Sequence, residues 1–170
     1  MSTSSMRHPA PMIRVVALAV AAMLASCRVG KEQDAWVRWD EGGFQFSLPP
    51  QLVRVPVQGV DSHVGRFAST DESLVIDYDC GRYSNDLESE RNSFKVFSSH
   101  REVIAGEEAL VVVGVLKDDV HWIGRGRHVV AATWQAVSGK GSMKLTILVQ
   151  MDDVTREAEM LTALRSVQFR

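Results

Sequence analysis

The chain has 170 residues, a formal net charge of -2, 45% hydrophobic residues and 24% charged residues. This length predicts one domain of ordinary size, and a charge near zero excludes a strongly basic nucleic-acid-binding surface. Two cysteines are too few for a disulfide scaffold. The composition therefore predicts a single folded domain with no nucleic-acid partner.

The first 26 residues differ from the rest of the chain in charge and hydropathy. They contain Arg7 and Arg14 but no acid, and residues 15–25 are almost entirely apolar. A basic start, a short apolar run and small residues before a cleavage point are typical of a secretory signal peptide. The run is shorter than the ~20 residues that a membrane-spanning helix needs. Translation could start at Met1 or at Met12, since both positions precede this pattern.

The end of this segment, Leu24-Ala25-Ser26-Cys27, resembles the lipobox of bacterial lipoproteins. The resemblance implies cleavage between Ser26 and Cys27 and attachment of lipid to the Cys27 thiol. Two or three acyl chains hold a protein on a bilayer stably, whereas one short chain does not. Arg28 stands where lipoproteins retained in the inner membrane commonly have Asp, so it favours the outer membrane, facing the periplasm. We expect a signal peptide over residues 1–26, a lipidated tether over 27–35 and one domain over 36–170.

Alternating apolar residues predict β-strands through most of this domain. Phe44, Phe46 and Leu48 alternate before two prolines that would end a strand. A turn separates residues 63–69 from residues 74–80, which predicts a hairpin. Further strands are expected at 102–104, 109–116, 129–137 and 143–151, and the glycine-rich residues 138–142 would join the last two.

Two helices are expected among these strands. One would follow capping residues 84–86, with a helical stripe formed by Leu87, Arg91, Phe94 and Phe97. The other would be capped by Asp152 and Asp153, with a stripe formed by Val154, Ala158, Leu161 and Leu164. A short strand with Val167 and Phe169 would close the chain. The resulting order predicts an α+β domain built on an antiparallel sheet.

Three short motifs in the domain are similar to the PsbP-like fold: FQFSLP at 44–49, IAGEEA at 104–109 and ALRSVQF at 163–169. The resemblance would cover residues 36–170. It implies an α/β/α sandwich, with helices packed on an antiparallel sheet. It also implies scaffolding or assembly roles, as in envelope lipoproteins with this fold, and it carries no catalytic residues onto this chain.

Strand alternation sorts the polar and reactive residues of the 74–80 segment. Cys80 shares a face with Leu74, Ile76 and Tyr78, which predicts a buried structural thiol and disfavours a reactive one. Asp77 and Asp79 lie on the opposite face. A pair of carboxylates can perform acid–base chemistry or bind cations, but the solvated side of a strand explains it more simply.

Two loop segments contain further candidate ligands. Asp118, Asp119 and His121 could bind a metal, although adjacent residues in a turn point in different directions, which favours a solvated turn. Arg125, Arg127 and His128, with His121, His100 and Arg101, could contact lipid headgroups, polyanionic sugars or an acidic partner, but a solvated loop explains them as well. No catalytic serine motif, phosphate loop or zinc-protease motif is present in the sequence. We therefore expect no enzyme activity, no cofactor and no metal.

These features predict a membrane-anchored envelope lipoprotein that works as a non-catalytic binding or assembly module with a protein partner in the envelope. Two alternatives remain open. The chain could be an immunity or inhibitor lipoprotein against a secreted toxin or lytic enzyme, or it could bind a small ligand or lipid. The last alternative requires an apolar pocket of a few hundred Å³.

Overall fold

The computed structural model describes residues 35–82, 84, 86–135 and 143–170. Contacts group Ala35–Arg170 into one compact unit. The expected signal peptide, the lipobox with Ser26 and Cys27, Arg28 and the expected turn at 138–142 all lie outside the described residues. They stay predictions from the sequence.

Seven antiparallel strands form the main sheet. They are β3 (Val53–Val55), β4 (His63–Ala68), β5 (Leu74–Gly81), β6 (Phe94–Ile104), β7 (Glu107–Leu116), β8 (His128–Trp134) and β9 (Lys144–Met151). Their order across the sheet is β3-β4-β5-β9-β8-β7-β6. The predicted hairpin of β4 and β5 is confirmed, with Phe67 opposite Ile76. The strands expected at 109–116, 129–137 and 143–151 are also present as β7, β8 and β9.

A second, three-stranded sheet joins the two ends of the domain. It contains β1 (Val37–Asp40), β2 (Phe44–Leu48) and β10 (Gln168–Phe169), in the order β1-β2-β10. Phe44, Phe46 and Leu48 of β2 are each only 1% exposed, as their alternation predicts. These three side chains belong to the same buried cluster as Ile76 and Ile147 of the main sheet.

The main sheet has two faces because side chains alternate along each strand. The core face includes Ile76, Tyr78 and Ile147 and is covered by the residues of β2. The groove face includes Asp77, Asp79 and Thr146 and is only partly covered. The β7–β8 part of the groove face belongs to a separate buried cluster, which includes Leu110, Val112 and Ala131 and against which Trp122 packs.

The helix predicted from residues 87–97 is wrong. Residues Ser89–Ser93 form a short 3₁₀ helix, and β6 starts at Phe94. The cause is a β-bulge, which shifts the pairing register between Phe94 and Val96. One extra residue in a strand places side chains three positions apart on the same face. Phe94 and Phe97 therefore share a face, with 5.2 Å between their ring centroids. In the sequence, this three-residue spacing is the same as that of residues on one face of a helix.

The expected terminal helix is present as α1 (Glu157–Arg165), after a 3₁₀ turn at Val154–Arg156. Asp153 caps this turn by accepting a hydrogen bond from the Thr155 backbone nitrogen at 2.9 Å, as predicted. The predicted stripe is right in part: Leu164 is buried and Leu161 packs against the core, but Val154 is 48% exposed and Ala158 is exposed. The buried face of the helix consists of Met160, Ala163 and Leu164.

The domain is thus rich in antiparallel β-sheet and has one short α-helix among the described residues. This agrees with a β-rich α+β fold. The helix that would have formed a second helical layer is replaced by the start of β6.

Candidate functional site

A groove of about 740 Å³ opens on the groove face of the main sheet. Its floor consists of side chains from three adjacent strands, β4, β5 and β9. They are Val64, Arg66, Asp77, Asp79, Thr146 and Leu148. The strand pairing places Arg66 opposite Asp77 and Asp77 opposite Leu148, so these side chains line up across the floor.

One wall of the groove is the loop between β7 and β8, which contributes His121, Trp122 and Ile123. The loop is held by Gln150, a β9 side chain that is 1% exposed. Gln150 Oε1 accepts hydrogen bonds from the backbone nitrogens of Ile123 at 3.0 Å and Gly124 at 3.3 Å. Its Nε2 atom donates to the carbonyl oxygens of Gly124 and Gly126. One buried amide therefore satisfies four backbone groups of the loop.

The same loop approaches the backbone of β9 very closely. A Cβ atom on Gly126 would overlap the backbone of Met151, so only glycine fits at this position. Trp122 packs edge-on against Phe94 with 5.1 Å between the ring centroids. The indole is half-buried and lines the groove. Leu87 and Glu90 also line the groove.

The groove lining has more carboxylates than cationic side chains. Arg66 donates two hydrogen bonds of 2.6 Å to the two carboxylate oxygens of Asp77, and Asp77 raises the pKa of the Arg66 guanidinium. Among the described residues, Asp79 has no such partner, and its Oδ1 atom is buried without a hydrogen bond. Glu90 accepts one hydrogen bond, from the Ser93 hydroxyl at 3.2 Å. The groove therefore contains one compensated carboxylate and two that lack a cationic partner among the described residues.

A buried carboxylate on the core face forms a second polar cluster. Glu41 lies in the turn between β1 and β2, and its side chain is 2% exposed. Its Oε2 atom accepts hydrogen bonds from the Tyr78 hydroxyl at 2.5 Å and from Arg54 Nη2 at 3.0 Å. His63 Nε2 lies 3.4 Å from the same oxygen. Three side chains of the main sheet thus converge on one residue of the small sheet.

The surroundings of Tyr78 raise the pKa of its hydroxyl. Burial raises the pKa of Tyr78, and the Glu41 carboxylate that accepts its hydrogen bond raises it further. The Tyr78 ring lies over Gly65 of the neighbouring strand, where a Cβ atom would overlap the ring. A cavity of about 380 Å³ beside the cluster is lined by Glu41, His63, Cys80 and Met143, among others. Oε2 accepts from Tyr78 and Arg54, whereas Oε1 is buried without a hydrogen-bond partner among the described residues. The contacts at Oε2 join the turn of the small sheet to three strands of the main one, and we assign them a structural role.

The residues singled out from the sequence fall into different places. Cys80 is 7% exposed on the core face, as alternation predicted. Asp77 and Asp79 lie on the opposite face, as predicted, where they are half-buried and line the floor of the groove.

The candidate ligands of the two loop segments also lie in different parts of the structure. Arg127 pairs with Asp118 and donates to the carbonyl oxygen of Leu116 at 3.0 Å, so it closes the β7–β8 loop instead of forming an open basic patch. His121 lines the groove. His100 lies on β6, near Glu102, away from this loop. Within the described part of the chain, no group of three or more His, Cys, Asp or Glu side chains has a geometry that could hold a metal ion.

Sequence reasoning missed the roles of Gln150 and Glu41. Gln150 is an uncharged polar residue that follows the apolar run Ile147-Leu148-Val149 and precedes Met151, and a polar residue in such a run is a signal of a buried hydrogen-bond network. Glu41 precedes two glycines in a short hairpin turn, and such a position is usually solvated. Only the long-range packing of the two sheets shows that its carboxylate is buried.

No protein family model matches this chain, and no curated protein resembles it significantly. Among the described residues, no helix has both the length and the apolar character needed to cross a bilayer. The geometry of the groove is thus the main guide to what the domain does.

Proposed function

We propose that the chain is a lipid-anchored envelope lipoprotein whose domain is a non-catalytic binding module, with the groove as its binding site. The observation that carries this proposal is the groove itself, at about 740 Å³. Small-molecule sites in proteins have volumes of roughly 300–1,000 Å³ and combine apolar walls with a few polar groups. Leu148, Trp122 and Ile123 supply the apolar contacts here, and Asp79 supplies a polar one.

The proposed cellular location depends on the sequence. The lipobox at residues 24–27 supports acylation of Cys27, and Arg28 supports sorting to the outer membrane, facing the periplasm. A tether over residues 27–35 would leave the domain close to the membrane surface. Compounds that occur in the envelope would then be the ligands available to the groove.

Of the three roles open from the sequence, binding of a small ligand receives the most direct support. It is the one that requires a cavity of several hundred Å³. The assembly role and the immunity role require a partner-binding surface, and the geometry of the groove does not favour either one.

We also propose that the domain is a β-rich relative of the PsbP-like fold. The antiparallel main sheet and the terminal helix α1 support this relation. The α/β/α sandwich implied by the motifs would need a second helical layer, and β6 occupies the chain segment from which that layer was expected. An experimental structure of the domain tests this relation.

The binding proposal can be tested by native mass spectrometry of the lipoprotein extracted from its own membranes in a mild detergent. We expect the wild-type protein to carry a small-molecule adduct. Val64→Trp should remove the adduct, because Val64 lies on the groove floor. Val103→Trp is the matched control, because Val103 is 71% exposed on β6, outside the groove. An adduct that is absent from the wild-type protein, or that survives Val64→Trp, would contradict the proposal.

A further inference from the structure

We propose that the groove selects ligands that carry a protonated amine on an apolar body. This inference rests on the proposed function, since it names the chemical class of ligand for the same groove. Its first support is the charge of the lining. Three carboxylates (Asp77, Asp79 and Glu90) face one guanidinium (Arg66), so these four side chains carry a formal charge of -2.

The position of this excess charge is well defined. Arg66 is fully engaged by Asp77 through two hydrogen bonds of 2.6 Å, so neither member of this pair needs a ligand. Asp79 lies two residues after Asp77 on β5, on the same face of the strand. None of the described cationic side chains pairs with it. Its Oδ1 atom is buried and accepts no hydrogen bond. The Oδ1 atom itself is out of reach from the groove, but a ligand's ammonium group beside the part of Asp79 that lines the groove would offset the charge of the carboxylate.

The apolar side of the groove fits the rest of such a ligand. Leu148 forms part of the floor, and Trp122 and Ile123 form a wall. The half-buried indole of Trp122 is also the best side-chain partner for a cation, because its ring face carries a negative quadrupole. A ligand with an ammonium group near Asp79 and an apolar body against Leu148 would satisfy both parts of the lining.

The loop that carries Trp122 is held in place before any ligand binds. Gln150 bonds to the backbone of Ile123, Gly124 and Gly126, so this wall has a fixed position relative to the floor. A fixed wall lowers the ordering cost of binding.

The test uses three probes with the same apolar ring: cyclohexylmethylamine, cyclohexylmethanol and cyclohexanecarboxylate. Each is titrated calorimetrically into the full chain in detergent, in wild-type, Asp79→Asn and Asp152→Asn forms. We expect the wild-type chain to bind the amine at least ~10-fold more tightly than the alcohol, as a charge-assisted contact would give, and to bind the carboxylate most weakly. Asp79→Asn should reduce amine affinity to that of the alcohol. Asp152→Asn, an exposed position outside the groove, should change nothing.

The outcomes separate this inference from the proposed function. Equal affinity for the amine and the alcohol, or an amine affinity unaffected by Asp79→Asn, would overturn the inference while leaving the groove as a binding site. Binding of none of the three probes would also overturn it, and the adduct test above then decides the proposed function independently. If Asp79→Asn fails to fold by its melting curve, Glu90→Gln replaces it, with an expected loss of ~2–5-fold in amine affinity.

Discussion

Gln150 Oε1 accepts the backbone hydrogen of Ile123 at 3.0 Å, and this contact joins the floor strand β9 to the wall of the groove. The side chain of Gln150 is buried, so its hydrogen bonds are not exchanged with water. The shape of the proposed binding site therefore depends on one amide that does not itself line the groove.

Replacement of this amide should loosen the wall. Gln150→Leu leaves the buried backbone groups of the loop without partners, which costs roughly 1–3 kcal/mol for each buried group that remains unsatisfied. We expect a lower melting temperature and faster hydrogen exchange at the Ile123 and Gly124 amides. Gln168→Leu, at an exposed position of β10, is the control and should leave these exchange rates unchanged. Unchanged exchange in Gln150→Leu would show that the loop is held by other contacts.

Gly65 and Tyr78 form a matched pair across β4 and β5. Gly65→Ala should displace the Tyr78 ring and weaken its hydrogen bond to Glu41, because the new Cβ atom would overlap the ring. Overpacking of this kind costs ~1–3 kcal/mol. The measurement is the free energy of unfolding in urea. In a Tyr78→Val background the same Gly65→Ala change should cost much less, and an equal cost in both backgrounds would contradict the assigned contact.

The buried face of the terminal helix gives a stability prediction. Met160 is 0% exposed and Leu164 is 2% exposed, whereas Leu161, which the predicted stripe placed in the core, is half-buried. Truncation of a buried Leu or Met to Ala costs ~2–5 kcal/mol. We expect Met160→Ala and Leu164→Ala to lower the melting temperature clearly more than Leu161→Ala does. A larger effect for Leu161→Ala would contradict this assignment of the buried face.

The turn between β4 and β5 should respond to acid. Hydrogen bonds from the Ser69 and Ser73 hydroxyls and the Ser73 backbone nitrogen lower the pKa of Asp71 from 3.8 to about 2. A carboxyl with a lowered pKa in the folded state binds protons less readily than in the unfolded state, so its contribution is present above pH ~4. That contribution is lost as the pH falls from ~4 to ~2.

The change to test is Asp71→Ala. We expect it to lower the melting temperature at pH 6, and we expect the difference from wild type to shrink at pH 2. Asp61→Ala, at an exposed position in the preceding loop, is the control. A difference that stays constant between pH 6 and pH 2 would show that the carboxylate form of Asp71 does not stabilise the turn.

The strands of the core were predictable because period-two alternation is a local signal. Leu74, Ile76 and Tyr78 could be assigned to one face from spacing alone, and the structure buries all three. The helix expected around Phe94 failed for an equally local reason, since a bulge gave a strand the spacing of a helix.

The candidate site was less predictable because it depends on distant residues. Asp79 and Trp122 are separated in sequence but line one groove, and nothing in the spacing of either residue shows this. Gln150 and Gly126 meet through a loop whose path is set by tertiary packing. Alternation could place Asp79 on a face, but it could not show that a loop covers part of that face.

The groove as the binding site is the central claim, and amide chemical-shift mapping tests it most directly. Cyclohexylmethylamine is titrated into the nitrogen-15-labelled chain, and the shifts are followed residue by residue. The account predicts saturable shifts at Asp79, Leu148 and Ile123, with little change at Glu41 and Val103. Shifts concentrated around Glu41 and its cavity, or spread without saturation over the surface, would contradict it.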